Sequence, residues 1–125
     1  MIPIFVFSFN RGKFLKNCVS TIERCSPASP IFIVDDQSDD PLTRDIIAEI
    51  GKAHEILETV CSESGERKTG GLYNNMNRAL KISVERNYEY ALFLQDDMQL
   101  VRPFFDSDLD GIQKFFNSNP GCIQL

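Results

Sequence analysis

Two adjacent aspartates, Asp96 and Asp97, follow the apolar stretch at residues 90–94 with only Gln95 between. Like charges side by side repel, and neither is buried cheaply without a cation or a network of donors. Paired oxygen ligands suit magnesium or manganese, which take one or two carboxylates and complete their shells with phosphate oxygens. A diphosphate held through such an ion departs as a stabilised anion. A solvated pair of turn aspartates fits the same residues, so the pair alone leaves both readings open.

Three further clusters carry possible chemistry. Residues 34–41 read Val-Asp-Asp-Gln-Ser-Asp-Asp-Pro. Asp40 is a good helix N-cap before Pro41, and Asp39 suits the positive end of the helix; neither requires a ligand. Asp35 and Asp36 stand where a carboxylate can accept hydrogen bonds from a nucleobase N–H or a ribose hydroxyl, although turn chemistry also explains them. The polar run Ser8, Phe9, Asn10 and Arg11 closes the first apolar stretch. Arg67 and Lys68 lie in a polar, glycine-containing segment and are natural diphosphate partners, or else an exposed charged loop.

Other chemistries find no support. The chain has no phosphate-binding P-loop, no G-x-G-x-x-G and no G-x-S-x-G pattern. Its one histidine, His54, reads as structural or exposed. The four cysteines lack C-x-x-C spacing, which argues against structural zinc and for buried thiols in a reducing, cytoplasmic setting. A net charge of -5 argues against a nucleic-acid partner. No apolar run approaches the ~18–20 residues of a membrane span, and the N-terminus lacks the pattern of a signal peptide.

The elements that must position these clusters alternate along the chain. Apolar runs at 2–9, 31–34, 55–61 and 88–94 read as strands, and "CIQL" as the start of another. Helical spacing links Phe14, Leu15, Cys18, Val19, Ile22 and Cys25, then Leu42, Ile46, Ile47 and Ile50, with Gly51 as a stop. Residues 72–86 and the spacing of Phe105, Leu109, Ile112 and Phe116 predict two more helices. Strands apolar on both faces, alternating with helices, predict a three-layer α/β/α domain with a mostly parallel sheet, over residues 1–125. Ligands of such sheets bind outside the carboxyl ends of the strands, where the polar clusters fall.

The ordered set "IFVFSFNRGKFLKNCVSTI", "IFIVDDQSDD", "GLYNNMNRAL" and "YALFLQDDMQ" resembles the nucleotide-sugar-binding half of inverting GT-A glycosyltransferases of family 2. The resemblance implies a Rossmann-like nucleotide-diphospho-sugar transferase fold and a UDP- or GDP-sugar donor, with a saccharide or other hydroxyl as acceptor. It also implies Mg2+ or Mn2+ as cofactor. It assigns Asp36 to the base, Asp96 to the ribose and Asp97 to the metal. Ser8 and Phe9 would line the base and ribose pocket, with Asn10, Arg11 and Asp35 also around the nucleotide. Arg67 and Asn77 are further nucleotide residues by the same resemblance. Gln95 departs from the pattern, standing where many members carry a first aspartate. The family's acceptor-binding half and catalytic base normally lie beyond residue 125, so the chain is expected to be a donor-binding half, with its catalytic residue unassigned. Apolar sheet surface left uncovered suggests self-association. A nucleotidyltransferase of similar architecture, or a non-catalytic nucleotide-binding or interaction fragment, is the alternative.

Overall fold

A strand apolar on both faces is stable only when helices cover both, and the four strands here are arranged that way. The computed structural model describes residues 2–58 and 71–123. Strands β1 (Ile4–Ser8), β2 (Ile31–Asp35), β3 (Glu55–Glu58) and β4 (Leu92–Gln95) alternate with helices α1 (Gly12–Cys25), α2 (Pro41–Ile50), α3 (Gly71–Glu85) and α4 (Asp106–Ser118). The expected α/β architecture is therefore present. The sheet order is β3-β2-β1-β4, and every pairing is parallel.

Alternation along the strands divides the core in two. Ile4, Val6, Ile31, Ile33 and Leu94 pack against Leu15, Cys18, Val19 and Ile22 of α1 and Ile47 of α2. Phe5, Phe7, Phe32, Val34 and Leu57 pack with Ala79, Met76 and Ile82 of α3. Aromatic rings tie the second layer: Phe5 stacks on Phe32 at 4.7 Å and meets Phe93 edge-on at 5.5 Å. Such offset and edge contacts add about 0.5–1.5 kcal/mol each beyond the area they bury.

The helix starts explain two departures from the expected stripes. Leu42 is 49% exposed, and Thr43 beside it is fully buried. Polar satisfaction decides this turn. The Thr43 hydroxyl accepts from Gly12 N–H at 2.9 Å and donates to Asp40 at 2.6 Å, while Asp40 caps the helix by accepting from Thr43 N–H at 2.8 Å. These two hydrogen bonds from Thr43 hold the Asp40 carboxyl below its ordinary pKa. The approach at Gly12 is so close that a Cβ there would lie 2.7 Å from the Thr43 Cα. Phe14, at 56% exposure, falls off the edge of a stripe formed by Leu15, Cys18, Val19, Ile22 and Cys25.

Strand limits are also tighter than the apolar runs suggested. Fourth-strand pairing begins only at Leu92; Tyr88 instead packs edge-on against Phe32, and Tyr90 stacks on Phe116 of α4. Residues 122–123 form no strand, and Ile123 is 94% exposed. Residues 59–61 of the expected third strand lie outside the described residues. So do Cys61, Arg67 and Lys68. Cys18 and Cys25 are buried free thiols, and Cys122 is only part-buried.

Candidate functional site

The chain builds β1, β2 and β3 outward in one direction, then returns to place β4 on the other side of β1. The sheet's topological switch point is therefore between β1 and β4, where ligands of open parallel sheets bind. Ser8 to Arg11 leave β1 at that point, and Asp96-Asp97 leave β4. In register, Phe7 pairs with Gln95 and Ser8 with Asp35, so all three clusters meet along one rim.

Asp96 is fully buried. Burial pushes its carboxyl pKa up; the Arg11 charge opposes this, with smaller help from the Phe9 amide and the Ser8 hydroxyl. Arg11 Nη2 lies 2.7 Å from Asp96 Oδ1, and Nη1 donates to Asp97 Oδ2 at 3.1 Å. One guanidinium thus bridges both carboxylates. The Ser8 hydroxyl at the end of β1 adds a hydrogen bond to the same buried carboxylate. Asp96 thus ties the ends of β1 and β4 together from within, through Ser8 and Arg11. Asp97 is exposed beside them.

Asp35 and Asp36 separate by the same alternation that divides the core. Asp35 accepts from Ser38 N–H at 2.8 Å and from the Ser38 hydroxyl, holding the turn after β2. Asp36 falls on the α3 side, where Asn75 Nδ2 donates to it at 3.3 Å. A Cβ on Gly71 would overlap its carboxylate, so only glycine lets α3 start this close. Asn10 takes a left-handed φ of 51° and locks the two loops together. Its side-chain oxygen accepts from the Asp39 and Asp40 amides at 2.9 and 3.0 Å, and its own N–H donates to Ser38 Oγ at 2.9 Å.

A cleft of about 150 Å3 opens between these groups, lined by Ser8, Phe9, Arg11, Asp36, Asn75 and Gln95 among others. A larger one, about 240 Å3, lies between α1 and α2. Its polar groups pair with one another, Lys16 with Glu49 at 3.6 Å and His54 with Glu23 at 2.8 Å. The smaller cleft is the better candidate, because it lies at the switch point and its Arg11 reaches both Asp96 and Asp97.

Of the expected site residues, Ser8, Phe9, Arg11 and Asp36 line that cleft, and Asp96 and Asp97 meet it through Arg11. Asn10 and Asp35 brace the loops around it. Asn77 is exposed on α3, and Arg67 is outside the described residues. Sequence reasoning passed over Asn75, although Asn75, Ala79 and Ser83 form a buried stripe of small residues at a spacing of four. Burial, reinforced by the Asp96 and Asp97 charges, pushes the Cys18 thiol up to about 12, so it remains a neutral packing group.

No group of three or more metal-ligating side chains gathers among the described residues. Two adjacent carboxylates still fit magnesium or manganese, which rely on phosphate oxygens and water for their remaining ligands. The model of glycosyl transferase family 2 matches residues 4–109. The chain belongs to glycosyl transferase family 2. That stretch of this family-2 chain runs from β1 into α4 and includes every residue of the cleft. A search of curated proteins finds no match.

Proposed function

We propose that this family-2 glycosyltransferase chain binds a nucleotide-diphosphate sugar, with UDP or GDP as the nucleotide, in the cleft at the β1–β4 switch point, together with Mg2+ or Mn2+. One observation carries the reading. Asp36 from the end of β2 and Asp96 and Asp97 from the end of β4 come to one rim, where Arg11 links the cleft to both β4 carboxylates. Asp36 accepts the base N–H, held in place by Asn75. Ser8 and Phe9 line the base and ribose pocket. Asp96 accepts from the ribose, and Asp97 holds the cation.

The reaction proposed is inverting transfer. An acceptor hydroxyl attacks the anomeric carbon, a new glycosidic bond forms, and the bond to the nucleoside diphosphate breaks. When bound, the cation supplies Lewis-acid stabilisation of the departing diphosphate. The hydroxyl proton must pass to a base within hydrogen-bond reach. Asp108 is poorly suited to that task. Arg102 grips it at 3.0 and 3.1 Å, Phe105 N–H donates to it at 2.9 Å, and these contacts hold its carboxyl below the usual range.

A thermal-shift screen of nucleoside diphosphates and their sugars, with and without Mn2+, tests the donor assignment. A ligand that binds only the folded state stabilises it by about 2.7 kcal/mol at a hundred times its Kd. UDP or GDP with Mn2+ should raise Tm, whereas adenosine monophosphate should not. Equal shifts with all nucleotides, or none with any, would count against it.

A further inference from the structure

Arg11 occupies an unusual position for a cation, bridging Asp96 and the carboxylate proposed to hold the metal. It is 45% exposed, yet its two terminal nitrogens reach a fully buried Asp96 and an exposed Asp97. With both carboxylates ionised, one guanidinium leaves this trio with a local charge of about -1. A divalent cation approaching Asp97 meets a positive charge already 3.1 Å from the Asp97 oxygen. Like charges at that range repel, so metal and guanidinium compete for the carboxylate. Arg11 immediately precedes α1, and its long side chain makes no cap hydrogen bond to that helix.

We propose, resting on the donor-binding reading above, that Arg11 is an exchangeable counter-ion. It neutralises Asp96 and Asp97 in the free protein and yields Asp97 to the cation. Its guanidinium then pairs with the diphosphate. The arrangement lowers affinity for metal alone and couples metal binding to arrival of the diphosphate. It makes Arg11 a residue that selects the metal–diphosphate complex over either component.

The test separates the two contacts. Mn2+ alone is titrated into the wild-type chain, Arg11→Gln and Arg11→Lys, with free Mn2+ read by electron paramagnetic resonance. UDP and GDP are then titrated at saturating Mn2+. Arg11→Gln should bind Mn2+ alone about tenfold more tightly, because a competing charge is gone. Its nucleotide affinity should fall by about tenfold, the scale of a lost charge-assisted contact. Arg11→Lys, which keeps the charge, should stay near wild type for Mn2+. Weakening of both affinities in Arg11→Gln, or unchanged Mn2+ affinity, would overturn the proposal.

The wild-type chain gives an independent reading if Arg11→Gln fails to fold. Restricted guanidinium rotation, seen in the Arg11 side-chain nitrogen resonances, should be released on adding Mg2+. Unchanged resonances at saturating Mg2+ would likewise overturn the exchange. If UDP and GDP bind to no form while the Mn2+ arm behaves as described, the exchange stands and the donor reading falls.

Discussion

At the scale of single residues, Asp36 and Asp96 show how environment divides the work of like side chains. Asp96 is deeply buried, so it needs the nearby positive charge of Arg11 to remain ionised. Asp36 is only part-buried and faces Asn75 and the first residue of α3. Asp36→Asn keeps the shape but replaces an acceptor oxygen with a donor. Nucleotide affinity should fall by roughly ten- to a hundredfold, the weight of one hydrogen bond to a charged group. Gly71→Ala should also weaken nucleotide binding, since its Cβ displaces the Asp36 carboxylate, while Tm changes little. Calorimetry on both variants checks this; unchanged affinity in each would remove Asp36 from the base pocket.

At the scale of elements, the site depends on loops fixed by hydrogen bonds at helix starts. Thr43 joins α1 to α2 through Gly12 and completes the Asp40 cap. Thr43→Val keeps the volume but strands the Gly12 N–H. It should destabilise the fold by about 1–3 kcal/mol, measured by urea unfolding. A change below a few tenths would show that the contact contributes little. This element also marks the limit of what the sequence revealed. The strand–helix order and the Asp40 cap were legible because apolar runs and cap residues are local signals. Leu42 looked buried and Thr43 did not, because hydropathy cannot see that a hydroxyl will meet the start of another helix. Asn75 was hidden for a related reason: its partner Asp36 is 39 residues away, and only the α3 packing brings them together. Tyr88 and Tyr90 looked like strand residues, but ring contacts with Phe32 and Phe116 gave them other partners.

At the scale of the whole molecule, strand order selects the site. Alternating elements announced a parallel sheet, but not that β4 would lie beside β1. That placement brings Arg11 to Asp96 across 85 residues of chain and puts the cleft at the switch point. Hydrogen exchange should therefore slow on adding nucleotide and Mn2+ at residues 8–11, 36–38, 71–75 and 95–97. Residues 16–23 and 46–54, around the larger cleft, should be unaffected. Protection concentrated in that second set would move the site to the α1–α2 groove.

The most direct measurement is a calorimetric titration of UDP and GDP into the wild-type chain and Asp97→Ala. Each titration is made with Mn2+ and again with excess chelator. Binding to the wild-type chain in Mn2+, lost on chelation and lost in Asp97→Ala, is the predicted result. Affinity that survives both the chelator and the substitution would contradict a metal-bridged donor site at the end of β4.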